Sequence, residues 1–172
     1  MKTAIIYRSH HGTTEKVARM ISQGLGDENC QLFNLKNQNN IDLAKFDAVI
    51  IGGSIHAGNI QNKVKEFCNK NMLALLEKPL GLFLSSMEEK QAQEQFDKAY
   101  PELLRRHAIS CKLTGGEFNF DRMNFLEKMI VRKVSGISQS IFRIDQNRIK
   151  ELIDDMAGCS KFHLLHTTAI KI

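Results

Sequence analysis

The residues with the clearest chemical potential stand near the start of the chain, in Arg8-Ser9-His10-His11-Gly12-Thr13-Thr14. This mixture suits a phosphate ester. Ser9, Thr13 and Thr14 can donate hydrogen bonds, and Gly12 lets the backbone come close to a ligand. A helix opening at Thr13 would add its first N–H groups and the positive end of its dipole. The same residues also suit a simpler arrangement, with Gly12 as a turn and Thr13 as a helix cap. The loop lacks both G-x-G-x-x-G and G-K-[ST], which disfavours the usual dinucleotide and nucleoside-triphosphate sites.

Three further clusters combine small and hydroxyl residues. One is Gly52-Gly53-Ser54-Ile55-His56-Ala57-Gly58-Asn59, another Ser85-Ser86-Met87, the last Gly115-Gly116-Glu117-Phe118. His10, His11 and His56 would meet if the first two clusters are neighbours, but no H-x-x-x-H or paired Cys/His spacing supports a metal site. His163 and His166 lie near the C-terminus, with no catalytic role suggested. Cys30, Cys68, Cys111 and Cys159 are widely separated, with no C-x-x-C, and read as free thiols that fill a core. No side chain stands out as an obligatory acid or base, so the catalytic set is unassigned.

The elements between these clusters explain why they would converge. Thr3–Tyr7, Gln31–Leu35, Asp47–Gly52, Leu80–Leu84 and Ala108–Leu113 are short apolar or alternating runs that predict strands. Between them lie amphipathic stretches. Thr13–Leu25 carries Val17, Ala18, Ile21 and Leu25 on one face and stops at Gly26. Ile60–Leu76 carries Val64, Phe67, Cys68 and Leu75. Gln91–Arg106 contains Pro101, which kinks a helix or opens a new one. Asp121–Val134 and Gln146–Met156 follow, the latter with Asp145 as N-cap. Strands alternating with helices predict an α/β fold, a doubly wound five-stranded parallel sheet with helices on both faces. Ligands then bind beyond the carboxyl ends of the strands, and all four clusters follow strands. The predicted domain covers residues 1–157, with 158–172 as a C-terminal tail, disordered or docking.

Bulk properties agree. The 172 residues suit one domain, with 42% hydrophobic and 25% charged residues, a folded composition. The net charge of +5 favours an anionic partner, yet no nucleic-acid motif is present, so nucleic acid is not expected. The apolar start Ala4-Ile5-Ile6-Tyr7 runs at once into Arg8, unlike a signal peptide, and no apolar run is long enough for a membrane span. With the free cysteines, this predicts a cytoplasmic location.

The string Ile5-Ile6-Tyr7-Arg8-Ser9-His10-His11-Gly12-Thr13-Thr14 resembles the phosphate loop of flavodoxins in its looser form, [ST]-x-x-G-x-T. His11 stands where many members have a hydroxyl. The resemblance implies strand order 2-1-3-4-5 and FMN as cofactor. Its phosphate would lie at Ser9, His10, His11, Gly12, Thr13 and Thr14. The flavin would lie against Ser54, Ile55, His56, Ala57, Gly58, Ser85, Ser86, Met87, Gly115, Gly116 and Phe118. Ile51-Gly52-Gly53-Ser54-Ile55-His56-Ala57-Gly58 is similar to a narrower branch, the menaquinone-dependent protoporphyrinogen dehydrogenases. The stretch from Asp121 to Gly136 resembles the same branch in its aromatic and basic residues and its ending in K-x-S-G.

The narrower resemblance implies an FMN-dependent oxidoreductase that passes electrons from a porphyrinogen to a quinone, within porphyrin and haem biosynthesis. Residues 121–136 place Arg122, Lys128, Arg132 and Lys133 beside the apolar face Met123, Leu126, Ile130 and Val134. Such a helix either covers the sheet or meets substrate carboxylates or an anionic membrane surface. The alternatives are a flavodoxin-type electron carrier, a class that is generally acidic, and a flavodoxin-fold quinone reductase.

Overall fold

The computed structural model describes residues 1–38, 40–56, 58–86, 91–118, 129 and 141–168. The chain alternates strand and helix from its start: β1 (Thr3–Tyr7), α1 (Thr13–Leu25), β2 (Cys30–Asn34) and β3 (Ala48–His56). A short β4 (Asn59–Ile60) precedes α2 (Asn62–Lys70), α3 (Met72–Leu76) and β5 (Leu80–Ser85). Then come α4 (Ala92–Ala99), α5 (Glu102–His107), β6 (Ser110–Leu113), β7 (Gly115–Phe118), β8 (Ile141–Ile144) and α6 (Gln146–Thr168).

The main sheet has the order β2-β1-β3-β5-β6, with all of these pairs parallel. With the hairpin strand β4 set aside, this is the predicted 2-1-3-4-5 order. β1 shows why the sheet is buried on both sides. Ala4 and Ile6 join one core with Val64, Phe67 and Leu104 from α2 and α5. Ile5 and Tyr7 join the other, with Val17, Ala18 and Ile21 of α1 and Ile149, Leu152 and Met156 of α6. Fully burying a side chain such as Ile5 or Ile50 contributes about 1.5–3 kcal/mol. These two cores fix the strand ends from which the loops emerge.

Several boundaries differ from the sequence-based expectations, each for a local reason. The helix expected over Ile60–Leu76 begins two residues late, because Asn59 and Ile60 pair back onto β3 at His56 and Ile55. It also breaks at Asn71, whose side-chain amide donates to the Phe67 carbonyl at 2.9 Å, a competing local bond that Asn favours. The Gln91–Arg106 stretch divides into α4 and α5. Tyr100, held extended before proline, has φ −119° and ψ 141°, and Pro101 opens α5.

Gly115–Phe118, expected as a loop, is a strand that pairs antiparallel with β8. Ser54–His56, also expected in a loop, extend β3. The last helix passes Met156 and continues to Thr168, since no proline interrupts it. Asp145 does cap it, accepting from Arg148 N–H at 3.0 Å. Cys111 is exposed on β6, contrary to a core role, because β6 is the edge of the main sheet. The helix expected over 121–134 lies outside the described residues, apart from exposed Met129. Among the described residues no helix is long and apolar enough to cross a membrane.

Candidate functional site

The first loop leaves β1 and enters α1 through Gly12, which has φ 97°. That left-handed conformation favours glycine. The Gly12 N–H donates to Ser9 Oγ at 3.0 Å, so Ser9 folds the loop from within. Thr13 and Thr14 are nearly covered, at 9% and 1% exposure. Neither hydroxyl has a partner among the described residues, and no fully buried polar side-chain atom lacks one. Both residues stand in the first turn of α1. The first N–H groups of α1 have no intrahelical acceptors. Hydroxyls, free N–H groups and the helix dipole thus converge on one spot, the composition of an anion site. His10 is exposed and His11 half-buried, their rings edge-to-face at 4.6 Å.

The second cluster lies beside it. Tyr7 pairs with Gly52 in the β1–β3 register, and the Arg8 N–H donates to the Gly52 carbonyl at 3.2 Å. Ser54 follows on β3. Its N–H donates to Gln61 Oε1 at 2.9 Å, and Gln61 Nε2 donates to Ser54 Oγ at 2.6 Å. Gly53 makes room for this contact, since a Cβ there would lie 3.0 Å from Gln61 Oε1 and 2.6 Å from Ile60 Cδ1. Ile55 packs partly into the core, so part of its surface is already used. His56 contributes backbone pairing; its side chain, Ala57 and Met87 lie outside what is described. Gly58 follows at the hairpin turn, with φ 79°.

The third and fourth clusters continue the row. Ser85 pairs with Ser54 across β3 and β5. Its hydroxyl lies 3.2 Å from Thr114 Oγ1, and Ser86 Oγ donates to Gln95 Oε1 at 2.7 Å. Gly115 and Gly116 open β7, and Gly116 is buried. Glu117 accepts from Lys16 Nζ of α1 at 2.7 Å, which draws the fourth cluster toward the first helix. The side chain of Phe118 lies outside the described residues. All four clusters thus stand at the same end of the sheet. Gln61, Gln95 and Thr114 were missed by sequence reading. Of these, only Gln61 carried a signal: it occupies a helix N-cap, where Ser, Thr, Asp or Asn is the usual choice.

Both tyrosines near this row are buried. Burial raises the Tyr7 phenol, helped by the Glu15 carboxylate. Burial also holds Tyr100 well above its ordinary value, and its hydroxyl donates to the Phe83 carbonyl at 2.5 Å. Burial pushes the Cys68 thiol up to about 12, which keeps it an inert core group. Among the described residues no group of three or more His, Cys, Asp or Glu is arranged to hold a metal ion.

A family model of the flavodoxin domain matches residues 4–141. The chain belongs to the flavodoxin family. Solved structures agree on the fold. A short-chain flavodoxin associated with a PDU bacterial microcompartment superposes with a TM-score of 0.57 at 15% identity, covering 92% of this chain and 99% of that one. A flavodoxin of Streptococcus pneumonia TIGR4 gives 0.55 at 14% identity, covering 92% and 99%. An NADH:FMN oxidoreductase in its apo form gives 0.51 at 13% identity, covering 67% and 75%. No curated protein matches the chain in sequence.

Family membership brings FMN as the cofactor and a redox role, in electron transfer or as an oxidoreductase. The residues present fit that cofactor. The order β2-β1-β3-β5-β6 reverses direction between β1 and β3, the switch point at which this fold holds FMN. Thr13 and Thr14, whose hydroxyls have no partner among the described residues, stand at that point in the first turn of α1, suited to a phosphate monoester.

Proposed function

We propose that this flavodoxin-family protein is an FMN-dependent oxidoreductase that takes electrons from a porphyrinogen and delivers them to a quinone. The observation that carries this reading is the string Ile51-Gly52-Gly53-Ser54-Ile55-His56-Ala57-Gly58. It resembles the protoporphyrinogen-oxidising branch, and Ser54 within it lies beside the phosphate loop, joined to it through Gln61. The charge of +5 also suits a substrate that carries carboxylates better than it suits an acidic electron carrier.

In this reading bound FMN supplies the redox chemistry, and the chain supplies place and access. Thr13, Thr14 and the first N–H groups of α1 hold the phosphate, with Ser9 shaping the loop and His10 and His11 at its rim. Ser54, Ile55 and the hairpin turn flank the flavin on one side. Ser85, Ser86, Gly115 and Gly116 flank it on the other. The FMN-binding unit spans residues 1–157, with 158–172 appended to it. Arg122, Lys128, Arg132 and Lys133 give the sequence 121–136 the positive charge to meet substrate carboxylates or anionic lipid at the inner face of the cell membrane.

The test is anaerobic turnover by the FMN-loaded protein, with protoporphyrinogen as donor and a menaquinone analogue as acceptor, followed by porphyrin fluorescence. Quinone-dependent porphyrin formation is expected. FMN binding without porphyrin formation would replace this reading with an electron carrier or a quinone reductase. Flotation with anionic vesicles, lost on neutralising Arg122, Lys128, Arg132 and Lys133 together, is the expected sign of membrane contact.

A further inference from the structure

Gln61 sits at the N-cap of α2, yet its side chain makes no capping bond. It turns back instead toward the strand ends. There its amide bridges two loops: Nε2 donates to the Arg8 carbonyl at 3.2 Å and to Ser54 Oγ at 2.6 Å, while Oε1 accepts from the Ser54 N–H at 2.9 Å. Arg8 begins the phosphate loop, and Ser54 lies on the strand that forms the β3–β4 hairpin. The bridge is half-buried, and the absence of a Cβ at Gly53 leaves it room. An amide is the group this position requires. It offers a donor to two oxygens and an acceptor to one N–H, whereas a carboxylate has no donor for the Arg8 carbonyl.

We propose that Gln61 is a positioning residue that ties the phosphate loop to the β3–β4 hairpin, so that the two halves of the FMN site are held in register. The proposal rests on the FMN reading of these loops, but the tie itself exists without FMN. A phosphate arriving at the first loop then orders the hairpin as well, and a flavin ring at the hairpin orders the first loop. Together with the Arg8 N–H bond to the Gly52 carbonyl, this amide fixes the distance between the two half-sites before a ligand arrives, so that binding is preorganised.

The test compares the full-length wild-type protein with Gln61→Met, which keeps side-chain length and removes all three bonds. In the ligand-free proteins, amide hydrogen exchange over residues 10–14 is expected to be several-fold faster in Gln61→Met, although those residues do not touch the substituted side chain. Inorganic phosphate is expected to slow exchange over both 10–14 and 54–59 in the wild type, but only over 10–14 in the variant. FMN affinity should fall about three- to tenfold, the range for losing one or two hydrogen bonds, while riboflavin affinity stays within about twofold. Unchanged exchange at 10–14, or phosphate protection that still reaches 54–59 in the variant, would overturn the proposal. Should Gln61→Met fail to fold, Gln61→Glu keeps the bond from the Ser54 N–H and loses both amide donors. The one to Ser54 Oγ can be replaced by the serine hydroxyl donating in turn and the one to the Arg8 carbonyl cannot, and the exchange comparison without phosphate decides in the same way. A wild-type protein that shows the exchange difference but binds neither phosphate nor FMN would leave the tie standing and remove the FMN reading.

Discussion

Serine and threonine hydroxyls serve two different purposes at the two sides of this sheet end. On the β1–β3 side, Thr13 and Thr14 are almost covered and yet have no partner among the described residues. On the β5–β6 side, Ser85 and Thr114 are 4% and 0% exposed and bond to each other. Ser86 bonds to Gln95. The first side leaves Thr13 and Thr14 without an internal partner among the described residues, although Ser9 and Ser54 there accept internal bonds, while the second uses all three of these hydroxyls to join the strand ends. The same residue types therefore mark the proposed binding loop in one place and a structural joint in the other. Only the hydrogen-bond partners tell them apart. A groove of about 580 Å³ runs along edge strand β6, past Phe96, Cys111 and Lys112, so what is closed on this side is the set of hydroxyls and not the surface.

The largest effect that would break this contrast belongs to Gly12. A Cβ at φ 97° strains the backbone by roughly 1–3 kcal/mol, and relief of that strain moves the first N–H groups of α1, which the proposed function assigns to the phosphate. Gly12→Ala should weaken FMN binding by about two orders of magnitude, read by flavin fluorescence quenching. Retention within threefold would reduce the loop to a helix cap. Thr14→Ala should cost at least about tenfold, the worth of one hydrogen bond to a charged group, with riboflavin binding unchanged. Ser85→Ala, on the other side, should leave FMN affinity within about threefold.

Much of the contrast was beyond sequence reading, and the reasons are local. The parallel order was legible because β1, β3 and β5 are apolar on both faces and are separated by amphipathic helices. The turn from β1 into α1 at residues 8–14 was legible because its residues are contiguous. Gln61, Gln95 and Thr114 were not, because their roles depend on partners 7 to 53 positions away in the chain. The β7–β8 pair was hidden for a related reason. Gly115 and Gly116 look like a turn, and their strand partners Ile144 and Arg143 come after a long intervening segment. Asn71 and Tyr100-Pro101 show the opposite case. There short-range chemistry, an Asn side chain competing for a carbonyl and a proline fixing its neighbour, decided where a helix stopped.

The joint on the β5–β6 side can be measured by stability. Thr114→Val leaves the buried Ser85 hydroxyl without its partner, at a cost of about 1–2 kcal/mol in urea unfolding; Ser85→Ala should cost less, since Thr114 Oγ1 still donates to the Leu84 carbonyl at 3.4 Å. The double substitution should cost clearly less than the sum of the two, since it removes both polar groups together. Strict additivity would mean that the two hydroxyls do not depend on each other, and the distinction between an open and a closed side would lose its second half.

The smallest effect is expected where the two sides meet. Lys16 of α1 reaches Glu117 of β7 at 2.7 Å, with side-chain exposures of 57% and 7%. The exposed ammonium is well solvated, which discounts the pair. The covered carboxylate argues the other way, because removing Lys16 leaves it short of a partner. Exposure of the lysine decides, since water can replace the ammonium at the carboxylate's open side. Lys16→Gln should therefore cost no more than about 1 kcal/mol, and the difference from wild type should shrink in 1 M salt, where a charge pair is screened within about 3 Å. A salt-independent loss of about 2 kcal/mol or more would show that the pair holds the β7–β8 hairpin down onto α1. The two sides would then be one cooperative unit rather than a binding loop beside a structural joint.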